Sequence, residues 1–167
     1  MPVSDQGVNP GRYQLIPRTL IFITRGESVL LLKGASNKTL WADRYNGVGG
    51  HVEQGEDVLS ASRRELAEET GLIADDLWLS GIVIVDTGQP IGIGLYVMKG
   101  TSKQGKPSSS DEGDLEWVPF DQIGTKDLVD DLPTLLPRVL KGKAGDNPFF
   151  ARYFYDGEDQ LVVEFSE

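Results

Sequence analysis

Two short apolar, β-branched runs, residues 19–24 (TLIFIT) and 28–32 (SVLLL), flank a turn containing Gly26, and the pattern predicts a β-hairpin. Residues 35–50 (ASNKTLWADRYNGVGG) combine turn formers and clustered glycines without periodicity, so they read as a loop entering a short strand near Val48. A helix is predicted over residues 57–70, ended by Gly71 at the position that favours a left-handed conformation. Leu59, Ser62 and Leu66 fall on one stripe of it, suited to packing on a sheet. LWLSGIVIVDT and IGIGLYVMKG are two strands flanking the turn GQP, both apolar enough for burial on two faces. Residues 101–114 (TSKQGKPSSSDEGD) form a polar, exposed excursion. LEWVPF resumes a strand, residues 132–140 suit a short helix, and FFARYFYDGEDQLVVEF closes the chain as a hairpin turned at Asp156 and Gly157. Strands before, between and after two helical segments predict an α/β layer protein with a mixed sheet.

A length of 167 residues suits a single domain spanning 1–167, with residues 1–16 expected as a loosely ordered N-terminal extension. No run approaches the roughly 18 apolar residues of a membrane span. The opening MPVSDQGVNPGR lacks the order of a secretory signal, which makes the cytoplasm the expected compartment. The chain has no cysteine, excluding disulfides, thiolate metal sites and cysteine nucleophiles. A formal net charge of −10 repels a nucleic-acid polymer. It would repel a small phosphate compound too, unless divalent cations stood between carboxylates and phosphates.

Such a cation site has a candidate. Glu65, Glu68 and Glu69 crowd the last two turns of the predicted helix within an arc of roughly 100°. Glu65 and Glu69 repel at i,i+4, and all three oppose the helix dipole, each at a cost of about 0.3–1 kcal/mol. Arg64 can pair with Glu68 at i,i+4 and recover a few tenths. Local rules that fail together mark a functional site, and clustered oxygen donors suit Mg²⁺ or Mn²⁺. The plain alternative is a solvated acidic helix face.

Other signals lead nowhere. GTSKQGKP is nearly a phosphate-binding loop, but Pro107 replaces the hydroxyl residue that would hold Mg²⁺. GIGLYV lacks the third glycine of a dinucleotide fingerprint. His51 is the only histidine, so two-histidine metal sites are excluded, no partner set for a Ser-His triad is visible, and His51 reads as a loop residue.

Gly50, five residues, Glu56, seven residues, then Arg64, Glu65, Leu66, Glu68, Glu69, Gly71 and Leu72 resemble the complete signature of the Nudix hydrolases. A chance match is on the order of one in a million over a chain of this size. The resemblance implies an α/β/α sandwich whose signature forms a loop, helix and loop. It also implies cleavage of a nucleoside diphosphate linked to another moiety, by water attacking phosphorus with Mg²⁺ or Mn²⁺. By motif position Glu65, Glu68, Glu69 and the carbonyl of Gly49 would be metal ligands, and Glu65 a candidate base. Arg64 and Glu56 would hold loop and helix in place, alongside the motif glycines Gly50 and Gly71. A further carboxylate from outside the motif is a family habit; Glu112 is the candidate, with Asp111, Asp114 and Glu116 as competitors and a plain acidic loop as the alternative.

RYNGVGGHVEQGE, WVPFDQI...DLVDD and the aromatic closing hairpin are similar to the enzymes that hydrolyse oxidised purine nucleoside triphosphates. That similarity implies Asn46, Asp130 and Asp131 facing the base, an amide and carboxyls suited to a purine edge. The tryptophan expected near those aspartates is replaced by Leu128 and Val129; Phe149, Phe150 or Tyr153 could supply a ring, or belong to the core. The leading expectation is a metal-dependent pyrophosphohydrolase of nucleoside triphosphates, acting as a monomer or homodimer on a small nucleotide, with no nucleic-acid polymer or membrane as partner. The rivals are the same chemistry on another nucleotide and a nucleotide sensor without turnover.

Overall fold

A computed structural model describes residues 1–166. The elements run β1 (Gln14–Arg25), β2 (Ser28–Gly34), β3 (Tyr45–Asn46), α1 (Val58–Thr70), β4 (Asp76–Val85), β5 (Ile91–Thr101), β6 (Gly113–Pro119), α2 (Leu132–Lys141), β7 (Phe149–Tyr155) and β8 (Leu161–Phe165). Short 3-10 turns occur at Val3–Gln6 and Phe120–Thr125. The strands form one sheet in the order β3-β2-β1-β5-β4-β7-β8, with β6 also pairing with β2. It is mixed: β1–β5 and β4–β7 are parallel, while β1–β2, β4–β5 and β7–β8 are antiparallel.

The predicted hairpin is β1–β2, and its turn uses Gly26 at φ 56°, a left-handed conformation that glycine adopts at little cost. β1 extends beyond the apolar run, pairing with β5 from Gln14↔Ile91 onward. Residues 14–16 therefore belong to the sheet and not to a loose extension. Their pairing uses backbone groups, beginning with the Gln14 N–H donating to the Pro90 carbonyl at 3.2 Å, while Leu15 and Ile16 stay exposed and leave no hydrophobic signal of burial.

Alternation along β1 feeds two cores. Leu20 and Phe22 join Val97 and the i, i+3, i+4, i+7 stripe Leu132, Leu135, Leu136 and Val139 of α2 on one face. Ile21 and Ile23 join Leu30, Met98, Leu66 and Leu72 on the other, beneath α1. One helix on each face makes the α/β/α sandwich. The expectation that β4 and β5 are buried on both faces holds only in part. Ile82, Ile84 and Tyr96 are only half-buried and belong to neither core cluster of the described residues.

The polar excursion after β5 is anchored at its base. Arg25 donates to the carbonyls of Ser102 (2.6 Å), Gln104 (2.7 Å) and Gly105 (2.9 Å), with its guanidinium 4.4 Å from the Trp117 ring centroid. Among the described residues no helix is long and apolar enough to cross a membrane.

Candidate active site

α1 is bounded by two capping devices. The Asp57 carboxylate accepts from the Ser60 N–H at 2.9 Å, and Gly71 at φ 71° donates its N–H to the Ala67 carbonyl at 2.9 Å. The preceding loop lies along β1, where the Ile21 N–H donates to Val48 O at 2.7 Å and the Thr19 N–H to Gly50 O at 2.8 Å. Two glycines permit that approach. A Cβ on Gly49 would strike the Thr19 carbonyl, and one on Gly50 would fall on the Glu65 carboxylate. The Gly49 N–H donates to Glu69 Oε2 at 3.1 Å, so the loop and the last turns of α1 enclose one space.

Arg64 organises that space. Its Nε donates to Glu56 Oε1 at 2.6 Å and its Nη2 to Glu56 Oε2 at 2.8 Å, while Nη1 reaches Glu65 Oε1 at 2.8 Å and Glu68 Oε2 at 3.2 Å. Nη2 also donates to the His51 carbonyl at 3.1 Å. The pairing with Glu68 that spacing predicts is thus the longest of several; one cation holds three carboxylates and a loop carbonyl. The Arg64 guanidinium, helped by the Glu53 N–H, lowers the Glu56 carboxyl to about 2. The His51 side chain turns away, accepting at Nε2 from Arg18 at 3.2 Å.

Glu69 is different in kind. Burial raises its carboxyl to about 7; the Gly49 N–H opposes this, and the neighbouring Glu65 and Glu112 charges add to it. Glu112 makes an ion pair with Lys38, and its carbonyl accepts from the Ala35 N–H at 3.0 Å. Glu116, a competitor for the outside carboxylate, is committed elsewhere: it accepts from Tyr45 Oη at 2.7 Å and Lys126 Nζ at 2.5 Å. Asp111 and Asp114 are exposed.

Among the described residues no three acidic or histidine side chains converge into a finished coordination sphere. Glu65 and Glu68 lean on Arg64, and Glu112 on Lys38. Glu69 has no cationic partner in hydrogen-bond contact: it is half-buried with one backbone donor, and burial and the Glu65 and Glu112 charges push its carboxyl up while Lys38 opposes them. An all-oxygen set that includes a carboxyl raised by burial and by like charges fits a hard divalent cation, which would favour the charged form.

The second group of expected residues lies on β3 and before α2. The Tyr45 N–H donates to Asp127 O at 2.8 Å and the Val129 N–H to Tyr45 O at 3.0 Å, setting Asn46 beside the 127–131 segment. Asn46 Oδ1 accepts from the Gly47 N–H at 2.8 Å. Asp130 is exposed and bonded to Arg44 Nη2 at 2.7 Å. Asp131 is more deeply set, and burial pushes its carboxyl up. The Tyr153 hydroxyl lies beside it without a hydrogen bond of sound geometry, and burial raises that phenol in turn. Leu128, Val129 and Tyr153 are buried in the α2-side core; Phe149 packs edge-on against Phe165 at 5.6 Å; Phe150 stands exposed. Pattern reasoning missed Arg44 and Lys38, because each acts on a carboxylate distant in sequence and no local spacing announces it.

The NUDIX domain family model matches residues 15–139. The oxidized purine nucleoside triphosphate hydrolase of Mus musculus is 32% identical over 145 residues, covering 86% of this chain and 89% of the relative. The relative of the same name from Danio rerio is 30% identical over 145 residues, with the same coverage of each chain. The crystal structure of the mMutator MutT protein from Bacillus halodurans aligns with a TM-score of 0.75 at 25% identity, covering 91% of this chain and 98% of that one. Signature, fold and relatives agree, so the chain belongs to the Nudix family and is a hydrolase acting on phosphoanhydride bonds.

Proposed function

We propose that the protein is a nucleoside triphosphate pyrophosphohydrolase using Mg²⁺ or Mn²⁺, with oxidised purine nucleotides as its first substrate class. The observation that carries the reading is geometric: Glu69 accepts from the Gly49 N–H and the Glu65 carboxylate lies against Gly50, on a helix that Arg64 ties to the same loop through Glu56. Glu65, Glu68, Glu69 and the Gly49 carbonyl would hold the cations, with Glu112 as a further ligand. Bound there, divalent ions would neutralise the phosphates and lower the pKa of water.

The chain's own residues do the rest. Glu65, held by Arg64 against Gly50, takes the proton as water attacks phosphorus, pyrophosphate leaves, and the nucleoside monophosphate remains. Arg64 and Glu56 keep loop and helix in register. Asn46, Asp130 and Asp131 read the base. The two aspartates differ in surroundings: Asp130 is exposed and accepts from Arg44, whereas Asp131 is more deeply set and burial pushes its carboxyl up, toward the form that can donate. The names of the murine and zebrafish relatives support this substrate class. The buried Leu128 and Val129 favour a second reading, the same chemistry on another nucleoside diphosphate derivative, because neither offers a flat face to a base. The decisive assay incubates the protein with oxidised and ordinary nucleoside triphosphates and nucleotide sugars in Mg²⁺, and measures pyrophosphate and phosphate release. Pyrophosphate from oxidised purines foremost is expected; binding without turnover would sink the enzyme reading.

A further inference from the structure

Asp130 would be a poor specificity element on its own. It is exposed, on a short segment between a 3-10 turn and α2, where a carboxylate is free to wander. Arg44 removes that freedom. Its Nη2 donates to Asp130 Oδ1 at 2.7 Å and also to the Leu128 carbonyl, and its Nε lies 3.6 Å from Asp127 Oδ1, so one guanidinium touches three of four consecutive residues. Tyr45, next in sequence, pins the same segment by two backbone hydrogen bonds and buries its ring against the α2-side core. Arg44 and Asn46 are the two chain neighbours of Tyr45, so the residue that holds Asp130 and the residue set beside the 127–131 segment lie on one short stretch fixed to that segment by the Tyr45 backbone.

We infer that Arg44 is a positioning residue for base recognition: it fixes the Asp130 carboxylate at a set place relative to Asn46. The inference rests on the nucleotide reading above. With Leu128 and Val129 buried, discrimination falls on hydrogen bonds, and a site built to bond a polar edge rejects a mismatched one far more strongly than an apolar pocket does.

The test compares wild type with Arg44→Met and Arg44→Lys on an oxidised purine triphosphate, dGTP and a pyrimidine triphosphate, with circular dichroism as the fold control. Arg44→Met should raise KM for the preferred nucleotide about tenfold with kcat within about threefold, and shrink the selectivity ratio by a similar factor. Arg44→Lys, which keeps the charge but loses the fork, should recover part of it. Asp130→Ala added to Arg44→Met should cost less than about twofold more, since the two act as one unit. A selectivity ratio unchanged by Arg44→Met, or a loss confined to kcat, would overturn the inference. If wild type turns over no nucleotide, the hydrolase reading fails instead, and equilibrium binding of the same three nucleotides to wild type and Arg44→Met still decides whether Arg44 sets selectivity.

Discussion

Arg64 grips both oxygens of Glu56, at 2.6 and 2.8 Å, and so ties the loop before α1 to the middle of the helix. The grip makes stability depend on acid. The Glu56 carboxyl sits at about 2 in the folded protein against an ordinary value of 4.5, so the folded state holds the charged form more strongly. That contribution is complete above about pH 4.5 and disappears as pH falls through about 2. Melting temperature followed between pH 6 and pH 2 should therefore drop more steeply for wild type than for Glu56→Gln, whose curve should lie lower at pH 6 and converge with wild type in acid. Parallel curves would contradict the assignment.

Glu65→Gln keeps the side chain's size while removing its charge. Turnover should fall about 10²- to 10⁴-fold, the usual contribution of a general base. Circular dichroism should be unchanged, and the rise in melting temperature that the proposed site predicts on adding Mg²⁺ should be smaller than in wild type, because one proposed oxygen ligand has lost its charge. A variant with near-wild-type turnover would remove Glu65 from the base role.

Gly50→Ala tests whether close approach matters. The added methyl meets the Glu65 carboxylate, which must move, and a misplacement of about 1 Å at a catalytic group can cost about 100-fold in rate. Gly55→Ala, in the same loop but with open space at the Cβ, provides the comparison: its left-handed φ of 92° costs stability, with kcat expected to stay within a few-fold. Equal kcat losses in the two variants would point to general loop disorder.

Asp57→Ala should separate folding from chemistry. Loss of the cap bond to the Ser60 N–H should cost about 1 kcal/mol, read by urea denaturation, with kcat unaltered because the cap lies at the opposite end of α1 from Glu69. A tenfold fall in kcat would mean that fraying of the first turn reaches the carboxylates.

Much of this architecture is legible in the chain because periodicity and caps are local. The 58–70 helix, its Asp57 and Gly71 boundaries and both hairpins follow from residues a few positions apart. The signature around Glu65 is legible for the same reason. Less legible is whatever depends on distant partners. Arg44 reaches Asp130 across 86 residues, and Lys38 reaches Glu112 across 74. β1 begins early because β5 supplies backbone partners, a pairing that leaves no trace in side-chain hydrophobicity. The partial exposure of β4 likewise depends on which of its residues meet a packing partner from elsewhere in the chain, which strand composition alone does not encode.

The carboxylate helix is anchored in one core by Leu66, and the segment carrying Asp130 and Asp131 in the other by Leu128, Val129 and Leu132, with β1 running between them. On the proposed assignment, bond-breaking and ligand choice therefore have separate foundations. Substitutions that retune the second segment are then expected to leave the packing of the first in place, so the choice of nucleotide would be adjustable without rebuilding the carboxylate helix.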